Sequence, residues 1–171
     1  MLRAINEAVS KQRKLIKNER MDFFSPQFAT CALGTFDYFK GTFQFSYAGH
    51  HAILMRRHGV WHPLGRGVGS SLPLGIIGGQ AYANSDFELE PDDWFLMYSD
   101  ALFEIIGKGS KTDQQDLISL LGEIREAQSG VYFQKLLTSL AALNESELYP
   151  DDFTLMLLEP RLPEQNINHA S

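Results

Sequence analysis

The chain has 171 residues, 44% hydrophobic and 21% charged, a balance that fits one globular domain with a real core and leaves little room for two. Its formal net charge of -6 gives no electrostatic reason to bind nucleic acid, and no apolar run approaches the roughly 20 residues that cross a bilayer. The basic, amphipathic N-terminus lacks the greasy core of a signal peptide, which points to the cytoplasm, and one cysteine, Cys31, excludes an internal disulfide and a cysteine-based zinc cluster.

Residues 1–20 hold six Lys or Arg against Glu7 and Glu19, giving +4 there and leaving -10 on the remainder. Leu2, Ile5, Val9 and Ile16 fall near helical spacing, which predicts an amphipathic helix over LRAINEAVSKQRKLIKNE laid across a sheet. Its basic side reads as a solvated face or as a dock for an acidic partner. Beyond Pro26 the period changes to two. FATCALGTFDY predicts a strand with Cys31 as a packing residue, and FKG at 39–41 supplies the turn into TFQFSYAG. There Phe43, Phe45 and Tyr47 alternate with Thr42, Gln44 and Ser46, as in an antiparallel strand with one wet face.

HAILMRRHGVWHPL predicts a hairpin about His58 and Gly59. AYANSDFELE and DWFLMYS are strands separated by the turn-prone PDD at 91–93. Leu117, Leu120, Leu121 and Ile124 line one helix, and Phe133, Leu136, Leu137 and Leu140 line another. FTLMLLEP is a closing strand, and 161–171 is a polar tail with the composition of a disordered segment. The order is helix, about five strands, two helices and one strand. Grouped strands with segregated helices predict an α+β domain built on antiparallel sheets.

The stretch WFLMYSDALFE, residues 94–104, runs five large apolar residues into Ser99 and Asp100. A buried strand keeps an ionised carboxylate only where it ends at water, at a positive group or at a metal, so Asp100 belongs at a strand mouth. YPDDFTLMLL places Asp151 and Asp152 just before the last strand. If those two strands pair antiparallel, Asp100 faces Asp151. Two carboxylates at adjacent strand ends make a hard-oxygen site of the kind Mg²⁺ or Mn²⁺ prefers. Taken singly, an Asp at a strand end is more often a turn former or cap than a ligand, and DD before a strand is equally ordinary.

Taken together, FATCALGTFDYFKGTFQFSYAGHHAILM, LPLGI, FELEPDDWFLMYSDALFE and DDFTLMLLEP resemble, in that order, the bacterial branch of the metal-dependent protein phosphatases (PPM). That branch is related to protein phosphatase 2C and includes the stage II sporulation protein E and stress-response regulator types. The resemblance implies a β-sandwich flanked by helices in α-β-β-α layers, with a dinuclear Mn²⁺ or Mg²⁺ centre at one end. It also implies hydrolysis of phosphoserine or phosphothreonine by metal-activated water. Matched position by position, Asp100 in SDA and Asp151 in DDFT are the implied metal ligands, and Asp152 lies just behind them. Relatives usually have Gly where this chain has Ala101. They also carry GGD-like and DVSGHG segments upstream of the part resembling MLRAINEAVS. Those segments have no counterpart here, which implies residues 1–160 are the C-terminal part of an N-terminally incomplete phosphatase domain.

His50 and His51 in AGHH invite a metal or acid role, but no glutamate at helical spacing completes a zinc motif. In the resembling proteins AGH is a strand-to-strand corner, which gives His50 a supporting place beside the site. LGRGVGSSLPLGIIGG, residues 64–79, lacks the Gly-Lys-Ser/Thr ending of a phosphate loop and reads as a flap, from which Arg66 would meet the substrate phosphate. Ser99 and Ser70 have no paired His and Asp, which excludes a serine hydrolase. Two classes of function follow. One is a phosphatase whose implied partners are a phosphorylated protein, such as an anti-sigma-factor antagonist, and an upstream sensor or receiver domain. The other is a catalytically inactive binding module of the same fold. No membrane partner is expected.

Overall fold

Alternating side chains from residue 31 onward sort into two antiparallel sheets in a computed structural model that describes residues 1–18, 28–65, 71–107, 114–144 and 151–162. Strands β1 (Cys31–Asp37), β2 (Thr42–Ala48) and β5 (Ser85–Glu88) form one sheet in the order β1-β2-β5. In the other, β3 (Leu54–Arg57) and β4 (Val60–Pro63) make the expected hairpin, and β6 (Trp94–Tyr98) and β7 (Leu155–Leu158) complete the order β4-β3-β6-β7.

The two sheets bury their facing side chains against each other. Phe43, Phe45 and Tyr47 of β2 meet Met55 of β3 and Phe95 of β6, with the Phe43 and Phe95 rings 4.8 Å apart. Leu162 also packs against this layer. The opposite face of the second sheet, carrying Leu54, Trp94, Leu96 and Tyr98, is covered by α2 (Ala101–Gly107), α3 (Gln114–Glu123) and α4 (Ser129–Leu143) through Leu102, Leu117, Tyr132 and Leu136. On the outer face of the first sheet, α1 (Leu2–Asn18) packs Leu2 with Ala48 and Leu74, and half-buried Cys31 and Leu33 border the contact. The layers are therefore α-β-β-α, as the resemblance implies.

This explains the apolar run in β6. The strand lies between β3 and β7, with a sheet on one face and helices on the other, so Phe95 and Leu96 are both fully buried although they point to opposite sides. Each such side chain contributes about 1.5–3 kcal/mol relative to exposure.

The structure adds two features to the sequence reading. Among the described residues six strands, not about five, precede the helical region, and a short helix, α2, starts immediately after Asp100; at 7 residues it is too brief to show a period. β5 and β6, neighbours in sequence, belong to different sheets. The PDD turn carries the chain across, pinned by Asp93, which is fully buried. Its carboxylate accepts Arg57 Nε at 2.8 Å and the Glu90 N–H at 2.8 Å. Arg66 and the tail from 163 lie outside the described residues. Among the described residues no helix is long and apolar enough to cross a membrane.

Tyr132 ties the helical layer together: its hydroxyl accepts the Trp61 indole N–H at 2.9 Å and donates to the Leu121 carbonyl at 2.7 Å. Tyr132→Phe would leave both groups buried without this partner, and a loss of about 1–3 kcal/mol is expected in urea denaturation at neutral pH. Burial pushes the phenols of Tyr47, Tyr98 and Tyr132 up to about 12 from an ordinary 10.0. The shift is upward, so the folded chain holds these protons more tightly than the unfolded one. The stability this confers is complete below pH 10 and is lost as pH climbs toward 12. Tyrosinate absorbance from these three residues should therefore develop toward pH 12 while the chain stays folded, and nearer the ordinary 10.0 only where it unfolds.

Candidate functional site

β6 and β7 pair antiparallel, with Tyr98 opposite Leu155 and Met97 opposite Met156. The mouth of one strand therefore meets the start of the other. Beyond the last regular pair, Ser99 continues the junction. Its N–H donates to the Thr154 carbonyl at 3.0 Å, its hydroxyl donates to the Asp152 carbonyl at 3.0 Å, and the Thr154 N–H donates to that hydroxyl at 2.9 Å. Asp100 follows Ser99 and Asp151 precedes Asp152, so the two acids lie on neighbouring chain segments, both exposed.

Asp100 is also where the chain turns into α2, its carbonyl accepting the Phe103 N–H at 2.9 Å. No hydrogen bond holds its carboxylate among the described residues, so a capping bond does not account for it. Asp151 Oδ1 accepts the Asp152 N–H at 2.7 Å, a local turn that leaves the rest of that carboxylate for other partners. Asp152 enters the junction through its backbone carbonyl, and its side chain is exposed. Ala101, where relatives usually have Gly, is fully buried as the first residue of α2, so its methyl joins the helical layer.

The two histidines divide. His50 Nδ1 lies 3.1 Å from the Thr30 hydroxyl. His51 stacks on Tyr98 at 6.1 Å between ring centroids and meets Phe103 edge-on at 4.7 Å. Burial lowers its pKa, the neighbouring His50 lowers it further, and the charge of Asp100 works in the opposite direction. His51 is thus the imidazole packed beside the β6 mouth, against Tyr98 and Phe103.

The corner before the histidines needs a glycine. Gly49 has φ +64, and a Cβ there would fall 2.6 Å from Pro73 Cγ. Pro73 belongs to the LPLGI segment, which is fastened on several sides. Leu74 exchanges backbone hydrogen bonds with Ala29 at 2.8 and 3.1 Å, and the Ser71 hydroxyl donates to the Tyr47 carbonyl. Asn6 of α1, fully buried, accepts the Gly75 N–H at 2.7 Å and donates to the Ile77 carbonyl at 3.0 Å. Its amide thus pairs with the loop as a strand would.

Among the residues expected at the site, the structure brings Asp100, Asp151 and Asp152 to one junction and ties His50 to Thr30. Ser99 and Asn6 are additions. Asn6 had a legible signal, since it lies four residues after Leu2 on the same helix face, where a polar residue needs a partner. Carboxylate oxygens are donors that Mg²⁺ and Mn²⁺ accept, so Asp100 and Asp151 fit such an ion in kind. Among the described residues no group of three or more His, Cys, Asp or Glu gathers as a metal cluster, so these two would by themselves make only part of a coordination shell.

A family model described as Stage II sporulation protein E (SpoIIE) matches residues 1–161. The chain belongs to the stage II sporulation protein E family. It is similar to the RsbU and RsbW domains of a Mycobacterium tuberculosis protein at 25% identity and TM-score 0.65, over 93% of this chain and 42% of that one. It is also similar to the Mn-presoaked phosphatase domain of Bacillus subtilis SpoIIE, at 18% identity and TM-score 0.60, over 90% of this chain and 64% of that one. A third likeness is to the catalytic domain of the serine/threonine phosphatase PstP in complex with 2 manganese ions, at 14% identity and TM-score 0.59, over 91% and 66%. No curated protein matches. The fold is that of bacterial PPM phosphatases of the SpoIIE type. This chain spans between 36% and 75% of the SpoIIE structures it matches.

Asn6→Ala would leave the Gly75 N–H and Ile77 carbonyl without the amide. A loss of about 1–3 kcal/mol and faster proteolysis within 71–77 are expected, and denaturation with peptide mapping checks both.

Proposed function

We propose that this SpoIIE-family chain forms part of a metal-dependent protein serine/threonine phosphatase, with Asp100 and Asp151 as ligands to Mn²⁺ or Mg²⁺. The observation that carries the reading is the β6–β7 junction, which sets two exposed carboxylates on adjoining strand ends at one end of the sandwich. A divalent ion there supplies an activated water and neutralises charge on the phosphoryl oxygens. The protein's part is to present the two carboxylates in a fixed relation, with Asp152 and His50 supporting the same end. Arg66, on the 64–79 stretch, is proposed to meet the substrate phosphate as a charge-assisted donor.

The substrate class is a phosphorylated protein, and within it an anti-sigma-factor antagonist is proposed. Joined RsbU and RsbW domains in the Mycobacterium tuberculosis relative, and a regulatory-domain fragment beside the phosphatase domain in one SpoIIE structure, support a regulatory setting with an upstream control domain. A second reading, a non-catalytic module that holds a phosphoprotein, has one observation in its favour: among the described residues no three His, Cys, Asp or Glu side chains gather as a metal site.

Hydrolysis of p-nitrophenyl phosphate separates the two. The phosphatase reading expects Mn²⁺-stimulated turnover that falls by at least about 100-fold in Asp100→Asn, because weakening the support of a metal ligand alone costs 10–100-fold. Phosphopeptide binding without turnover at any Mn²⁺ concentration would establish the binding module instead.

A further inference from the structure

We propose that Ser99 is a positioning residue of this site, whose hydroxyl fixes the Asp100 backbone against that of Asp151. The metal-binding consequence rests on the phosphatase reading above, whereas the clasp itself does not. Regular pairing between β6 and β7 ends at Tyr98 and Leu155. Past that rung the chains part, one turning into α2 and the other running through 151–154 without strand structure. Both acids lie in this parted region, which one further backbone bond, from the Ser99 N–H to the Thr154 carbonyl at 3.0 Å, borders.

A serine close before a helix can cap it, with its hydroxyl accepting from the first-turn amides, although the position directly before α2 is that of Asp100. Ser99 does otherwise. Its carbonyl takes the Leu102 N–H at 3.2 Å, while its hydroxyl reaches across to the other strand. There it donates to the Asp152 carbonyl and accepts from the Thr154 N–H. One hydroxyl uses both its donor and its acceptor capacity on the backbone groups flanking Phe153, whose ring packs against the helical core. The side chain thus replaces a missing rung of the sheet, one residue from each proposed ligand. Coordination requires ligands held within about 0.5 Å of the productive geometry, so the hydroxyl's contribution should appear as metal affinity.

Ser99→Ala removes both bonds, and Ser99→Thr retains a hydroxyl on a β-branched side chain suited to a strand end. In amide hydrogen exchange by NMR, the Thr154 amide should exchange at least about 10-fold faster in Ser99→Ala and return toward wild type in Ser99→Thr. In a titration with Mn²⁺ alone followed by electron paramagnetic resonance, Ser99→Ala should bind about 10-fold more weakly and Ser99→Thr near wild type, at closely similar melting temperatures. A Thr154 amide that exchanges equally in wild type and Ser99→Ala overturns the clasp. Equal Mn²⁺ binding by wild type and Ser99→Ala overturns the positioning role and leaves the phosphatase reading standing. If the Thr154 amide is freed in Ser99→Ala while the wild type takes up no Mn²⁺, the clasp is supported and the phosphatase reading fails.

Discussion

A strand packed on both faces can carry an ionised side chain only where it leaves the core, because desolvating an unpaired carboxylate costs far more than the 5–15 kcal/mol by which a typical domain is stable. In this protein β6 is such a strand, with the second core layer on one side and the helices on the other. Its exit is therefore the first place an acid can stand, and Asp100 stands there. β7 enters beside that exit in antiparallel register, so the same rule puts Asp151 and Asp152 at the matching entrance. The acidic junction is a consequence of how two neighbouring strands cross the boundary between core and water.

The layers around it serve that geometry. Aromatic side chains between the sheets hold β2 against β6, while Trp61, Trp94 and Tyr132 anchor the helices on the far side. At the sandwich end, the histidine corner, the LPLGI segment and α1 are tied in succession by Gly49 against Pro73, Leu74 to Ala29, and Asn6 to Gly75 and Ile77. α1 is thereby linked by direct contacts to the corner that carries His50 and His51. Similarity to SpoIIE-type phosphatase domains accounts for the architecture, and the junction gives it a candidate chemistry.

Much of this was legible in the sequence because it follows from alternation. Phe43, Phe45 and Tyr47 fall on one face as their spacing requires, His58 and Gly59 make the turn of a hairpin, and the paired β6 and β7 appear as expected. What was not legible depends on partners distant in the chain. β5 and β6 belong to different sheets, and the turn between them is held by the buried Asp93 carboxylate on Arg57, a partner distant in the chain that no local pattern announces. α2 is too short for a period. Ser99 entered the sequence reading only as a nucleophile without a triad, and only the neighbouring strand reveals its bonds. AGHH suggested His50 as the supporting histidine; its ring lies against the Thr30 hydroxyl, and the packing of His51 on Tyr98 and Phe103 was a further feature no local pattern gave.

Asp100 and Asp151 are proposed to share one divalent ion. Paramagnetic broadening of backbone amides by substoichiometric Mn²⁺ tests it most directly. The account predicts that signals from 99–101 and 151–152 broaden together, at the same low concentration and ahead of other exposed acidic segments such as 90–92. Broadening at only one of the two segments, or elsewhere first, would contradict it.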